Sequence, residues 1–240
     1  MTSVLKLIQE RHSSRSRFDQ QRPVSIQNLR RILEAGRWAP TAHNMQNYEV
    51  IVIDDRKLLR TIGNIKPQAS AEFIRENCEQ LSSSRKELRR KKVGILGTSF
   101  PPSWRDPDRL EEAVRDAKPE PLRETVQGSP TVLMVLYDPR KRAPASHGDF
   151  LGIISLGCVM ENMWLMAQAL GISFQVMSVF SSADVEREVK TTLRIPEHMK
   201  IAFAIRLGYT KTAATRYFRV RRDLQDFTHY NRFRNNQQKP

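Results

Sequence analysis

Cysteine, glycine and long apolar runs are all scarce in this chain. Two cysteines in 240 residues, Cys78 and Cys158, cannot build the disulfide framework of a small secreted protein. Cys158 stands in the apolar run Gly157-Cys158-Val159-Met160, where a buried thiol is expected, and a reducing, cytoplasmic setting fits both. No segment approaches the roughly 20 consecutive apolar residues of a membrane span. The first ten residues carry Lys6 and Glu10 and lack an apolar stretch ending in small residues, so no signal peptide is expected. Ten glycines and thirteen prolines are scattered, which excludes a low-complexity linker. There is no repeat of solenoid period. The histidines His43, His147, His198 and His229 have no metal-like spacing with Cys, Asp or Glu, so no metal is expected.

What the chain has in excess is positive charge. Forty Lys and Arg against 26 Asp and Glu leave a net +14, concentrated in Arg85 to Lys92 (RKELRRKK) and Arg216 to Arg222 (RYFRVRR). Such a balance attracts anions: a phosphate-bearing cofactor, nucleic acid or anionic lipid. Nucleic acid is the weaker reading. There is no helix-turn-helix, RNP motif, KH loop or zinc spacing, and no aromatics are interleaved through the basic runs. The length suits one large domain or two small ones, and 39% hydrophobic residues is a globular composition.

Periodicity predicts the elements. Val4 to Arg11 has the spacing of a short amphipathic helix, and His12 to Gln21 reads as loop. Ser25 is placed to cap a helix that carries Ile26, Leu29, Ile32 and Leu33 on one face and ends near Gly36 and Trp38. Strands are expected at Tyr48 to Ile53, Thr131 to Tyr137, Phe174 to Phe180 and Lys200 to Leu207. Phe150 to Leu170 reads as a nearly all-round apolar core helix closed by Gly171, and 183 to 193 as another helix. Residues 67 to 92 look helical but polar, 97 to 108 form a Pro-rich loop, and 109 to 118 a short charged helix. Without strict βαβ alternation, the class is α+β: a central, mostly antiparallel sheet flanked by helices. We expect a single domain over 1–240, with 64–127 an excursion serving as lid or dimer arm and 209–240 a basic C-terminal extension.

Three clusters carry chemistry. Arg11-His12-Ser13-Ser14-Arg15 offers two guanidinium forks and hydroxyl donors suited to phosphate oxygens, although a solvated basic loop would look the same. Ala39 to Tyr48 (APTAHNMQNY) crowds amides and hydroxyls between a helix and a strand, either for a cofactor's polar edges or as an ordinary connection. Arg219-Val220-Arg221-Arg222-Asp223-Leu224, followed by His229 to Phe233, is a second basic site or simply a charged tail.

Taken in order, these segments resemble the nitroreductase family of FMN enzymes. The likeness is to its R-x-S-x-R segment, its A-P-S-x-x-N-x-Q-P-[WY] loop, its Q-N-[ML] helix (here Glu161-Asn162-Met163), its L-G-Y strand end (Leu207-Gly208-Tyr209), and its R-R-x-L and H-Y-N-R tail. The resemblance implies an intertwined homodimer with FMN at the subunit interface. It implies that Arg11, His12, Ser13 and Arg15 hold the FMN phosphate and ribityl chain, with Arg221, helped by Arg219, closing from the C-terminal side. Pro40, Thr41, Ala42 and Asn44 would meet the flavin from the other subunit. Val176, Met177 and Ser178 would line the isoalloxazine and offer backbone donors near N5 and O4.

The implied reaction passes hydride from NADPH or NADH through flavin N5 to a small electron-poor acceptor, a nitroaromatic or quinone, in a ping-pong scheme with no catalytic side chain. Phe100 and Trp104 are candidate substrate-covering residues, and Arg123 a candidate for the flavin's pyrimidine edge. Val179 stands where many members have Gly, which predicts an altered N5 environment. Relatives with other flavin chemistry (dehalogenase, enone reductase, flavin-cleaving enzyme) share these motifs, and a basic nucleic-acid-binding protein is the alternative from outside the flavoenzymes.

Overall fold

The computed structural model describes residues 3–81, 84, 86–87, 90, 102–118, 121–146, 148–211 and 221–233. The chain divides into two compact units: Met1–Pro67 with Pro119–Thr215, and Gln68–Lys118 with Arg216–Pro240.

The first unit begins with α1 (Val4–Glu10), capped by the Ser3 side chain, and α2 (Ile26–Arg37), where the Ser25 hydroxyl accepts from the Asn28 N–H as its cap position predicts. The strand β1 (Tyr48–Ile53) follows, then α3 (Arg56–Gly63). Sequence reading missed α3, yet its signals are present: Asp55 caps the N–H groups of Lys57 and Leu58, and Leu59 and Ile62 form a buried stripe.

After the second unit's insertion, a turn of π-helical form at Arg123–Gln127 leads into β2 (Thr131–Tyr137). Then come α6 (Phe150–Ala169), β3 (Ser173–Met177), α7 (Ala183–Leu193) and β4 (Lys200–Gly208). Gly171, at φ +66°, closes α6 in the left-handed conformation that an L side chain resists.

Among the described residues the strands form one antiparallel sheet in the order β1-β2-β4-β3, which bears out the α+β class. β2 is central, and its uninterrupted apolar run follows from burial on both faces. Val132, Met134 and Leu136 face a core shared with α3 and α7. Leu133 and Val135 face a second core built by Leu29 and Ile32 of α2 and Leu156, Val159 and Met163 of α6. Residues 121–127 pack into this unit: Val126 is wholly buried and the Leu122 N–H donates to the Ile65 carbonyl.

Two expectations change. The third strand ends at Met177, because a 3₁₀ turn at Val179–Ser181 drops Phe180 into the first core. The helix α6 is not buried all round: Phe150 and Ile153 stay 63% and 59% exposed, and Ile154 is exposed with them. By length and composition α6 also meets the test for a membrane-crossing helix, although its Leu156, Val159, Met163 and Ala167 are packed into this fold's core.

In the second unit, α4 (Ala71–Leu81) and α5 (Leu110–Arg115) join 3₁₀ turns at Pro102–Arg105, Pro107–Arg109 and Leu224–Asp226. Its interior is small, with Ile74, Cys78 and Ala113 buried. Arg75 of α4 pairs with Glu111 of α5 at 2.9 Å. Burial pushes the Cys78 thiol upward from its ordinary range, which suits an inert interior cysteine.

Candidate functional site

The segment after α1 is docked firmly on the sheet. The Ser14 N–H donates to the Phe174 carbonyl of β3 at 2.8 Å, and Ser14 is buried. Trp164 of α6 donates its indole N–H to the His12 carbonyl at 3.3 Å and stacks on Phe174 with centroids 4.9 Å apart. Arg11 lies over the Trp164 ring at 4.2 Å and its Nε is 3.1 Å from the Glu161 carboxylate. The Arg15 Nη1 is buried as well. Ser13 and Arg15 flank the anchored Ser14, both partly exposed.

Beneath the segment sits Arg206 of β4, only 2% exposed. Its Nη2 donates to the Ser14 carbonyl at 3.1 Å and the Ser16 carbonyl at 3.0 Å, and its Nε to the Gln175 side chain at 2.7 Å. Its guanidinium also lies 4.2 Å over the Phe18 ring. Sequence reading missed Arg206. The available signal was a lone charge inside the apolar run Ile201 to Leu207, since an unpaired charge is seldom buried.

β3 is an edge strand, and in antiparallel pairing a residue's N–H and C=O point to the same side. Phe174 directs its carbonyl away from β4 to Ser14, so Val176, two residues on, turns its own main chain toward the same open edge. The edge of β3 therefore carries the docked Ser14, and Val176 lies two residues farther along the same edge. The Met177 side chain points into the core and its main chain, by the same alternation, faces β4, while Ser178 is exposed. Val179 has no left-handed φ and packs against the core, so this backbone has no need of glycine.

The Pro40–Asn44 cluster attaches elsewhere on α6. The Ala42 N–H donates to the Ser155 hydroxyl at 3.0 Å, and Thr41 Oγ1 accepts from the Gln46 N–H at 3.2 Å. His43, Asn44 and Gln46 have φ values of 50°, 52° and 45°, a concentration of left-handed non-glycine backbone held by these local bonds. A small, shallow cleft opens beside it, lined by Ala42 and Asn47 of the loop, Lys141, Arg142 and Asp149 of the 138–149 connection, and Ser155. Asp138 opens that connection: hydrogen bonds from the Arg140 guanidinium hold its carboxyl at about 2. Burial raises Tyr48 and Tyr137.

Arg219 and Phe100 lie outside the described residues. Arg221 and Trp104 belong to the second unit, where Arg221 is exposed and Trp104 packs edge-on against Phe73 at 6.2 Å. Arg123 donates to the Asn64 side chain at 3.1 Å. Among the described residues, no three His, Cys, Asp or Glu side chains gather as a metal site.

Comparison with known proteins gives one consistent result. Over 80 residues the chain is 36% identical to a protein of Archaeoglobus fulgidus bearing the double name NADH dehydrogenase/NAD(P)H nitroreductase, a match covering 31% of this chain and 45% of that one. A nitroreductase with bound FMN from Desulfitobacterium hafniense superposes with a TM-score of 0.55 at 22% identity, covering 96% of this chain and 98% of that one. An FMN-dependent nitroreductase of Clostridium difficile gives 0.58 at 17% identity, with 96% and 100% covered. At such identities the structures establish the fold alone. The sequence model of the nitroreductase family, however, matches residues 8–209, from within α1 to just past the end of β4, and this chain belongs to that family.

Proposed function

We propose that the protein is an FMN-dependent oxidoreductase taking electrons from NADPH or NADH and passing them to a small electron-poor acceptor such as a nitroaromatic or quinone. The observation that carries this reading is the docking of Arg11–Ser16 on the open edge of β3. It sets guanidinium and hydroxyl donors suited to phosphate oxygens beside the edge strand β3. A phosphate bound to an aromatic redox ring by a polyol chain is the type of ligand such a pairing fits.

When bound, FMN would supply the hydride chemistry, and the chain's part is position and charge. Arg11, Ser13 and Arg15, with His12, would hold the phosphate and ribityl chain, and Arg221 with Arg219 would add positive charge from the C-terminal extension. The backbone of Val176–Ser178 would face the ring. Pro40, Thr41, Ala42 and Asn44 would come from the partner subunit of a homodimer. Two features support the dimer: this loop is fixed to α6 at Ser155, and the neighbouring turns of α6 expose Phe150, Ile153 and Ile154.

The test is an absorbance spectrum of the purified protein before and after NADPH or NADH under anaerobic conditions. Flavin bands that bleach with either nucleotide are expected. A protein that carries no flavin and takes up none when FMN is supplied would refute the proposal.

A further inference from the structure

We propose that Arg206 is the positioning residue of the phosphate-binding segment, fixing its main chain so that the partly exposed Ser13 and Arg15 are presented in one arrangement. The inference rests on the FMN reading above and assigns a role to a residue outside the family's motifs. The segment 11–18 is irregular and follows a seven-residue helix that buries no residue. Local structure alone therefore leaves it mobile, since ordering each residue costs conformational entropy. Beside the Trp164 bond to the His12 carbonyl, two anchors grip the segment's centre. The Ser14 N–H is held by β3, and the carbonyls of Ser14 and Ser16 are held by Arg206.

The guanidinium suits the task for a geometric reason. It must reach two carbonyls and the Gln175 side chain while lying 4.2 Å over Phe18, which requires several donors in one plane. A lysine ammonium keeps the charge but is a point donor and cannot copy that fork. Burial strengthens each of these charge-assisted bonds. Arg206 lies behind the backbone, so it acts through Ser14 and Ser16, and its loss should weaken the grip on the phosphate while sparing contacts made to the ring.

The experiment compares FMN with riboflavin, which lacks the phosphate, by fluorescence titration of the full-length apoprotein. Arg206→Lys and Arg206→Met should each weaken FMN binding by about tenfold or more, with riboflavin binding changed by no more than about twofold. Gln175→Ala, which removes the Nε partner, should shift the same ratio in the same direction to a smaller extent. If Arg206→Met does not fold, Arg206→Lys decides alone, because lysine preserves charge and stem. Equal losses for FMN and riboflavin, or full retention of FMN affinity in Arg206→Lys, overturn the proposal. A wild-type protein that binds riboflavin as tightly as FMN also overturns it, and one that binds neither overturns the cofactor reading beneath it.

Discussion

Arg11 is held between two groups of α6, the Glu161 carboxylate 3.1 Å from its Nε and the face of Trp164 at 4.2 Å. The acid lies beside a segment assigned to an anion, where its charge offsets part of the attraction. Glu161→Gln, which restores the amide of the family's Q-N-[ML] pattern, should tighten FMN binding by about two- to fivefold at low salt, the scale of a partly exposed ion pair. A titration showing weaker binding would mean that Glu161 serves chiefly to aim Arg11.

Asp138 is tied to Arg140 by two side-chain hydrogen bonds, with His198 3.9 Å away. Its pKa, lowered from 3.8 to about 2, makes its contribution to stability complete above 3.8 and progressively lost as the pH falls toward 2. Asp138→Asn should therefore lower Tm at neutral pH and flatten the dependence of Tm on pH between about 4 and 2. Parallel wild-type and variant curves through that window would show that the pair is not what the acid limb reports.

Gly208 ends β4 where a Cβ would lie 2.7 Å from Pro130 Cγ and 2.9 Å from Phe18 Cδ2. Both neighbours are ring atoms with little room to retreat. Gly208→Ala should cost about 1–3 kcal/mol by overpacking, read as a lower urea midpoint at unchanged slope. Because Phe18 lies under Arg206, FMN affinity should fall as well.

Ser155 accepts from the Ala42 N–H and donates to the Leu151 carbonyl. Ser155→Ala should lower stability by about 1–3 kcal/mol through the orphaned Ala42 amide, measured by chemical denaturation. The same helix carries Ile153, 59% exposed. In the proposed homodimer, Ile153→Asp should convert a dimer into monomers at micromolar concentration in sedimentation velocity. A wild-type protein that sediments as a monomer would remove the dimer from the functional reading.

Elements whose signals are local were legible. Ser25 capping α2, Gly171 closing α6 and the boundaries of β1 and β2 all follow from residues a few positions apart. The turn at Val179 forms without the glycine of the family pattern because it needs no left-handed φ. The apolar character of α6 was read correctly and its complete burial was not, since periodicity records how apolar a face is and not what covers it.

The sequence by itself determined the family, the α+β class and the residue types available to hold an anion, because caps, periods and short motifs are properties of neighbouring residues. Tertiary structure alone decided how those residues are held. The contacts from Arg206 to Ser14 and Ser16 span 192 and 190 positions of chain, and the Trp164 bond to His12 spans 152. No local pattern encodes a partner at that distance. An arginine in an apolar strand becomes a buried clamp only when the sheet closes and the segment after α1 crosses its edge.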